Sequence, residues 1–348
     1  MTKRILIGLA AIGFAVASVG ASSAATARPD QPGLRPVAAS IDDVRQQSPV
    51  FVYVRGRYTA FDVPFGQSGG DGAAINNPGQ VAGGYRDPAT DCLRGFLRTR
   101  NGAFARIDAP AANGGSTQPM RINDRGVIVG SYRADPSCQD AVPARGFVRD
   151  QHGRYTTIHI AGAVRTQATG VNNRGQVVGD YLNPDGSVHG YRFDRGRVTT
   201  IDGPAGAGQV SVLDINDRGQ MVGVYADAAG APHGFLLTGG IYTTIDMPGV
   251  TYTFPFAIND RGQIAGFTTD ALPVPTATDV HGFVLGDGAG GPVTRIDVPG
   301  AVIGTVALDI NDAGTVAGMY GNPNAAPSAP DAGLAMPGMA NLLKGAPH

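Results

Sequence analysis

The chain has no tryptophan, two cysteines and few charges, and each shortage removes a class of reading. Without tryptophan, and with tyrosines that recur at repeat positions, aromatic platforms for carbohydrate have little support. Cys92 and Cys138 stand in no C-x-x-C arrangement, and no nearby histidine completes a ligand set, so neither metal nor cofactor is expected. Charged residues make up 16% of the chain and the formal net charge is -1. Bulk charge therefore offers no hold on nucleic acid or anionic lipid. Beyond the amino terminus, no segment approaches the ~20 apolar residues of a membrane helix. Glycine, by contrast, is abundant at 52 residues, with 25 prolines, as in a turn-rich β protein.

The amino terminus reads as an export signal. Lys3 and Arg4 precede an apolar stretch at residues 5–19, and Ala25-Thr26-Ala27 fits small-residue cleavage. Residues 1–27 are expected to be removed near Ala27, leaving a secreted or periplasmic protein that inserts no segment in a membrane. An exported chain with two cysteines predicts one disulfide, Cys92 to Cys138.

The dominant feature is a motif present six times, Ile-Asn-(Asp/Asn)-x-Gly-x-(Val/Ile)-(Val/Ala)-Gly in its fullest form. Its asparagines are Asn76, Asn123, Asn172, Asn216, Asn259 and Asn311, at intervals of 47, 49, 44, 43 and 52 residues. A strand-and-turn repeat of that length predicts an all-β propeller. The fourth copy shows the unit. Residues 211–215 alternate as a strand, Asn216-Asp217-Arg218-Gly219 turns, and residues 220–225 form a second strand. His233-Gly234-Phe235 opens a third, Gly239-Gly240 turns, and Tyr242-Thr243-Thr244-Ile245 is a β-branched fourth. Four antiparallel strands make one blade.

Third-strand cores recur at Gly95-Phe96, Gly146-Phe147, Gly190-Tyr191, Gly234-Phe235 and Gly282-Phe283, with a degenerate copy at Phe51-Val52-Tyr53. The chain thus opens on an outer strand pair and ends on an inner pair. The two halves are expected to join as a sixth blade, which removes exposed sheet edges. The predicted domains are a linker at 28–50, the propeller at 51–320 and a low-complexity tail at 321–348. Loops between second and third strands, and between blades, are long and variable. In a meander they share one face, and binding is expected there.

Ile-Asn-Asp-x-Gly-Gln, His-Gly-Phe-Leu and Tyr-Thr-Thr-Ile-Asp-x-Pro-Gly resemble the HAF-type extracellular repeat family of bacteria, over roughly residues 51–320. The resemblance implies an exported repeat protein and supplies no activity. This chain departs from it at Arg94 and Arg145, where three other copies have histidine, and at Thr268, where five have tyrosine.

Several constellations have plain structural readings. His189, His233 and His281 stand at equivalent points on different blades, too far apart to share an ion, and are expected to bond locally. The Asn-Asp-x-Gly turns lack the remaining ligands of a calcium loop. Ser68 lies in a G-x-S-x-G match that joins strands rather than a strand to a helix. Gly286 to Gly291 lacks the lysine of a phosphate loop and reads as an outer hairpin. Tyr252, Phe254 and Phe256 are expected between blades.

The strongest candidate site is a repeat position that does not repeat. Two residues before each motif asparagine stand Ala74, Arg121, Gly170, Asp214, Ala257 and Asp309. Projected to the axis, Arg121, Asp214 and Asp309 would meet in the channel mouth, as a polar binding site or as an ion cluster filling the channel. No catalytic residue is assigned. The expected function is a monomeric binding scaffold for an unknown protein or small molecule. A hydrolase or lyase at the channel mouth and a structural repeat protein without a discrete ligand are the rivals.

Overall fold

The computed structural model describes residues 50–66, 72–138, 142–270, 280–301 and 304–320. The expected signal, Ser68, the tail and all but the last residue of the linker lie outside them. The chain enters with β1 (Val50–Val54) and β2 (Arg57–Ala60). Blade one follows as β3 (Ala73–Ile75), β4 (Val81–Arg86), β5 (Leu93–Arg98) and β6 (Phe104–Ile107). Blade two is β7 (Thr117–Ile122), β8 (Ile128–Tyr132), β9 (Arg145–Arg149) and β10 (Tyr155–Ile158). Blade three is β11 (Arg165–Val171), β12 (Val177–Leu182), β13 (Val188–Asp194) and β14 (Arg197–Ile201). Blade four is β15 (Gln209–Ile215), β16 (Met221–Ala226), β17 (Pro232–Thr238) and β18 (Ile241–Ile245). Blade five is β19 (Tyr252–Ile258), β20 (Ile264–Thr269), β21 (His281–Leu285) and β22 (Val293–Ile296). The last strands among the described residues are β23 (Thr305–Ile310) and β24 (Val316–Tyr320).

Each blade is a four-stranded antiparallel sheet in chain order, and the sixth runs β2-β1-β24-β23. The six-bladed, all-β ring expected from the repeats is the observed fold, closed by both chain ends. Val52 pairs with Ala317 and Tyr53 with Val316.

The motif glycine and the third-strand aromatic are one packing device. Gly223 faces Phe235 across adjacent strands, and a Cβ added at Gly223 would lie 2.8 Å from the Phe235 ring. The ring therefore lies flat over the second strand, where no side chain other than hydrogen fits. Phe51 and Gly318 make the same pair across the chain ends, again at 2.8 Å, which identifies Phe51 as the sixth copy. Phe235 is fully buried, among Val212, Ile215, Met221 and Leu237. Phe235→Ala is expected to cost roughly 3–5 kcal/mol as a large-to-small core change. A denaturant melt checks it, and an unchanged midpoint would remove Phe235 from the core.

Between blades, Phe254 and Phe256 are buried and Tyr252 packs against them. Threonine hydroxyls tie the crossings: Thr117 accepts from the Ala109 N–H at 3.0 Å, Thr253 from Met247 at 2.9 Å and Thr305 from Val298 at 2.8 Å. These loops thus lose backbone freedom without adding strand.

Candidate functional site

The channel mouth is built from the six Asn-x-x-Gly turns. Asn216 shows why asparagine is used. Its Oδ1 accepts from the backbone N–H of Arg218 and of Gln220, both at 3.0 Å. Its Nδ2 donates to Gln220 Oε1 at 2.9 Å and to the Asn259 carbonyl of the next blade at 3.0 Å. Aspartate has no donor for the second task. The same interblade bond runs from Asn76 to Asn123 and onward to Asn311, whose amide returns to the Asn76 carbonyl at 3.2 Å. A closed ring of six results.

A second ring lies just outside. The backbone N–H of the residue after each asparagine donates to the side-chain oxygen of its counterpart on the next blade. The series is Asn77, Asp124, Asn173, Asp217, Asp260 and Asp312, at 2.6–2.8 Å, and Asp312 closes on Asn77. Only a short oxygen-bearing side chain reaches, so aspartate and asparagine alternate freely here. Asp217, Asp260 and Asp312 adjoin without an intervening amide, and burial, then the neighbouring carboxylates, push the Asp260 carboxyl up. The rings line a cavity of about 70 Å³.

Below it, Arg121, Asp214 and Asp309 meet. They come from β7, β15 and β23, on alternate blades. Each inner strand from β7 onward carries a register shift just before this position, as at Pro119/Arg121 and Val212/Asp214. Such a bulge re-aims the following side chain. The small residues on the other blades are required: a Cβ at Gly170 would lie 2.7 Å from Asp214 Cα. Arg121 Nη1 lies 3.0 Å from Asp309 Oδ1 and donates to the Leu308 carbonyl at 3.1 Å. Its Nη2 donates to the Phe256 carbonyl at 2.8 Å. Its Nε is 3.2 Å from Asp214 Oδ1, an ion-pair distance, but the N–H is off that line and makes no hydrogen bond. Asp214 Oδ2 accepts from Ile258 N–H at 3.0 Å and Asp309 Oδ2 from Ile75 N–H at 2.7 Å.

All three side chains are at most 7% exposed. One guanidinium cannot neutralise two buried carboxylates. Burial accordingly pushes Asp214 up to about 7 against the pull of Arg121, with Asp309 adding to the rise, and burial raises Asp309 as well. The trio is a packed plug with its groups directed at each other and at backbone. The three side chains also form part of the lining of the mouth cavity.

The three histidines bond within their own blades. His189 Nδ1 lies 2.9 Å from Asp202, His233 Nδ1 2.8 Å from Asp246 and His281 Nδ1 3.1 Å from Asp297. Each partner is the aspartate of the fourth-strand Ile-Asp pair, so two repeat signatures are halves of one contact. Blade two reverses it, with Arg145 at the histidine position and His159 at the aspartate position, and the His159 pKa is lowered by burial and by Arg145. The partner aspartates escaped the sequence reading, although recurrence of Ile-Asp wherever His-Gly occurs is the signal for them. Among the described residues no His, Cys, Asp or Glu group is arranged to hold a metal.

His189 Nε2 also lies 3.1 Å from Ser187 Oγ, giving the connectivity of a Ser-His-Asp relay. The hydroxyl is already committed, accepting from Asn183 Nδ2 at 3.1 Å and donating to Asp185 at 2.7 Å. With its one proton on a carboxylate, Ser187 is turn chemistry rather than an activated nucleophile.

On the opposite, long-loop face, the sulfurs of Cys92 and Cys138 are bonded, with Cα atoms 5.1 Å apart. They join the second-to-third-strand loops of blades one and two. Arg94, at the histidine position, donates to the Gly114 and Gly115 carbonyls at 3.0 and 2.9 Å and so pins the next interblade loop. Closing 46 residues contributes about 4 kcal/mol in the chain-entropy model. Cys92→Ser with Cys138→Ser is expected to lower stability by that order in denaturant melts. A non-reduced peptide map showing two free thiols would remove the bridge.

A buried polar set between blades three and four was not foreseen. Asp180, fully buried, accepts from Arg165 Nη2 at 2.7 Å and from Ser211 Oγ at 3.0 Å. Its counterparts in the other blades, such as Gly84 and Val224, carry no charge, so no repeat signal marks it.

No family model matches the chain, and no curated protein does. Solved structures match in fold. A protein assigned as TolB from Agrobacterium tumefaciens gives a TM-score of 0.58 at 13% identity, covering 80% of this chain and 99% of that one. TolB from Acinetobacter baumannii gives 0.48 at 10%, over 72% of this chain and 55% of that one. A streptogramin B lyase gives 0.44 at 11%, over 79% and 89%. The chain thus shares the TolB-like six-bladed architecture. At such identities the likeness is one of fold alone.

Proposed function

We propose that the protein is an exported binding scaffold, of the HAF-type repeat kind, whose long-loop face takes a protein or small-molecule ligand. The observation that carries this reading is the state of the axial trio. Arg121 Nη1 and Nη2 donate to backbone carbonyls, and Asp214 and Asp309 each accept from a backbone N–H, so the axial trio is held by the ring itself. On the long-loop face, the Cys92–Cys138 bridge ties together two loops of blades one and two, and Arg94 pins the next interblade loop at Gly115. Ordering loops before binding lowers the entropy cost of association.

A panel of glycans, cell-wall fragments and secreted proteins, read by saturable binding, tests the assignment. Arg94→Ala or His233→Ala is expected to weaken whatever binds, while Asp217→Asn at the channel mouth leaves it unchanged. Binding that follows Asp217 and ignores the loop-face changes would overturn the proposal and favour a channel-mouth enzyme.

A further inference from the structure

A net charge near zero conceals a segregation that the meander imposes. Within a blade, the first-to-second and third-to-fourth turns emerge at the same end. Blade five shows it directly, since the Gly288 N–H of its outer hairpin donates to the Gly262 carbonyl of its inner turn at 2.9 Å. The inner turns of blades two to five carry exposed Arg125, Arg174, Arg218 and Arg261. The outer hairpins of blades six and three add exposed Arg55, Arg57, Arg195 and Arg197. The two lysines, Lys3 and Lys344, lie outside the described residues, so every basic side chain of this face other than His152 is a guanidinium, which grips phosphate bidentately.

Four aspartates of this face are gathered in the mouth ring. The rim holds Asp150, which pairs with Arg154 at 2.8 Å, and Asp194 and Asp287. The long-loop face is the acidic one, with Asp87, Asp108, Asp202, Asp246, Asp270 and Asp297.

A second observation narrows the partner. Six large apolar residues are exposed among the described residues, and four of them stand at the outer hairpins of the arginine face. They are Val54, Val198, Ile241 and Val293, with Ile241 72% and Val293 56% exposed. Val54 is followed by Arg55 and paired with Arg57; Val198 follows Arg197. Blades three to six therefore present aliphatic tips around the rim, beside outer-hairpin arginines in blades three and six. A soluble polyanion or nucleic acid would use the charges but has no place for bare aliphatic tips. An anionic bilayer uses both, phosphate for arginine and the headgroup boundary for the tips.

We propose that the short-turn face is a peripheral docking surface for an anionic phospholipid membrane, which adsorbs the propeller without inserting a segment and turns its long-loop face outward. The inference is independent of what the long-loop face binds.

The test is co-sedimentation of the exported protein, its mature amino terminus verified, with vesicles of phosphatidylcholine with and without phosphatidylglycerol. Binding is expected on the anionic vesicles alone and is expected to fall as salt rises. Replacing Arg55, Arg57, Arg195 and Arg197 by Gln is expected to lower the partition coefficient on the order of several hundred-fold, at about fivefold per arginine. All four are exposed, so the variant is expected to melt as the parent does. Ile241→Ser with Val293→Ser is expected to lower binding roughly tenfold while leaving its salt dependence intact. Equal binding to both vesicles, undiminished binding of the arginine variant, or indifference to the Ile241 and Val293 changes would each overturn the proposal. So would tighter binding to free polyphosphate than to vesicles.

Discussion

Arg121→Ala is expected to destabilise the propeller by about 3–5 kcal/mol, the cost of stranding a buried partner charge. The loss comes from what remains. Asp214 and Asp309 stay in place on the axis, each still held by a backbone N–H, with no cation between them. Replacing all three by apolar residues of similar volume is expected to recover most of the loss, because desolvation of the carboxylates then vanishes as well. Equilibrium denaturation of the single and triple variants checks this, and a single variant as stable as the parent would show that the trio bears no energetic weight.

The same trio sets a pH dependence. The folded-state pKa of Asp214, about 7, stands above the ordinary aspartate value of 3.8. Below pH ~4 the carboxyl is protonated in both states and contributes nothing. As pH rises toward 7 the unfolded chain ionises freely while the folded site resists, so stability is lost across that window. His233, also raised through its bonds to Asp246 and Asp227 despite the opposing effect of burial, has the same sign. Thermal melts between pH 5 and 8 are expected to fall with pH, and Asp214→Asn is expected to flatten the slope. A slope unchanged in that variant would assign the titration elsewhere.

Removing β1 and β2, residues 50–60, is expected to abolish cooperative folding. Their loss uncovers one edge of β24, which pairs with β1 through four residues from Val316 to Met319, and leaves that edge unpaired. It also removes Phe51, which fills the space over Gly318. Size-exclusion chromatography is expected to show aggregates and calorimetry no sharp transition. A soluble monomer with a sharp melt would mean that the ring does not depend on its closing blade.

Much of this architecture was legible because the repeats register one another. Six asparagines gave the blade count, and an orphan outer pair at Phe51 implied its inner pair at the other end. The axial trio was visible as an irregularity inside a regular series. Its chemistry was not, because whether Arg121 faces a ligand or a carbonyl depends on bulges that shift each strand by one residue. Asp180 and Arg165 were invisible for the opposite reason: they compensate each other in one blade only. The charge segregation of the two faces follows from strand parity, yet the pooled net charge cancels it.

The asparagine ring bears on where the molecule begins. Its six bonds are alike, and the bond from Asn311 back to Asn76 joins the sixth blade to the first as the others join neighbouring blades. Val50 lies opposite Met319, so the ends of the ring already adjoin. The start of the polypeptide is therefore a property of the gene more than of the fold. A circular permutant that opens the loop after Ala112 and links the old ends would keep every blade and both rings, and is expected to fold.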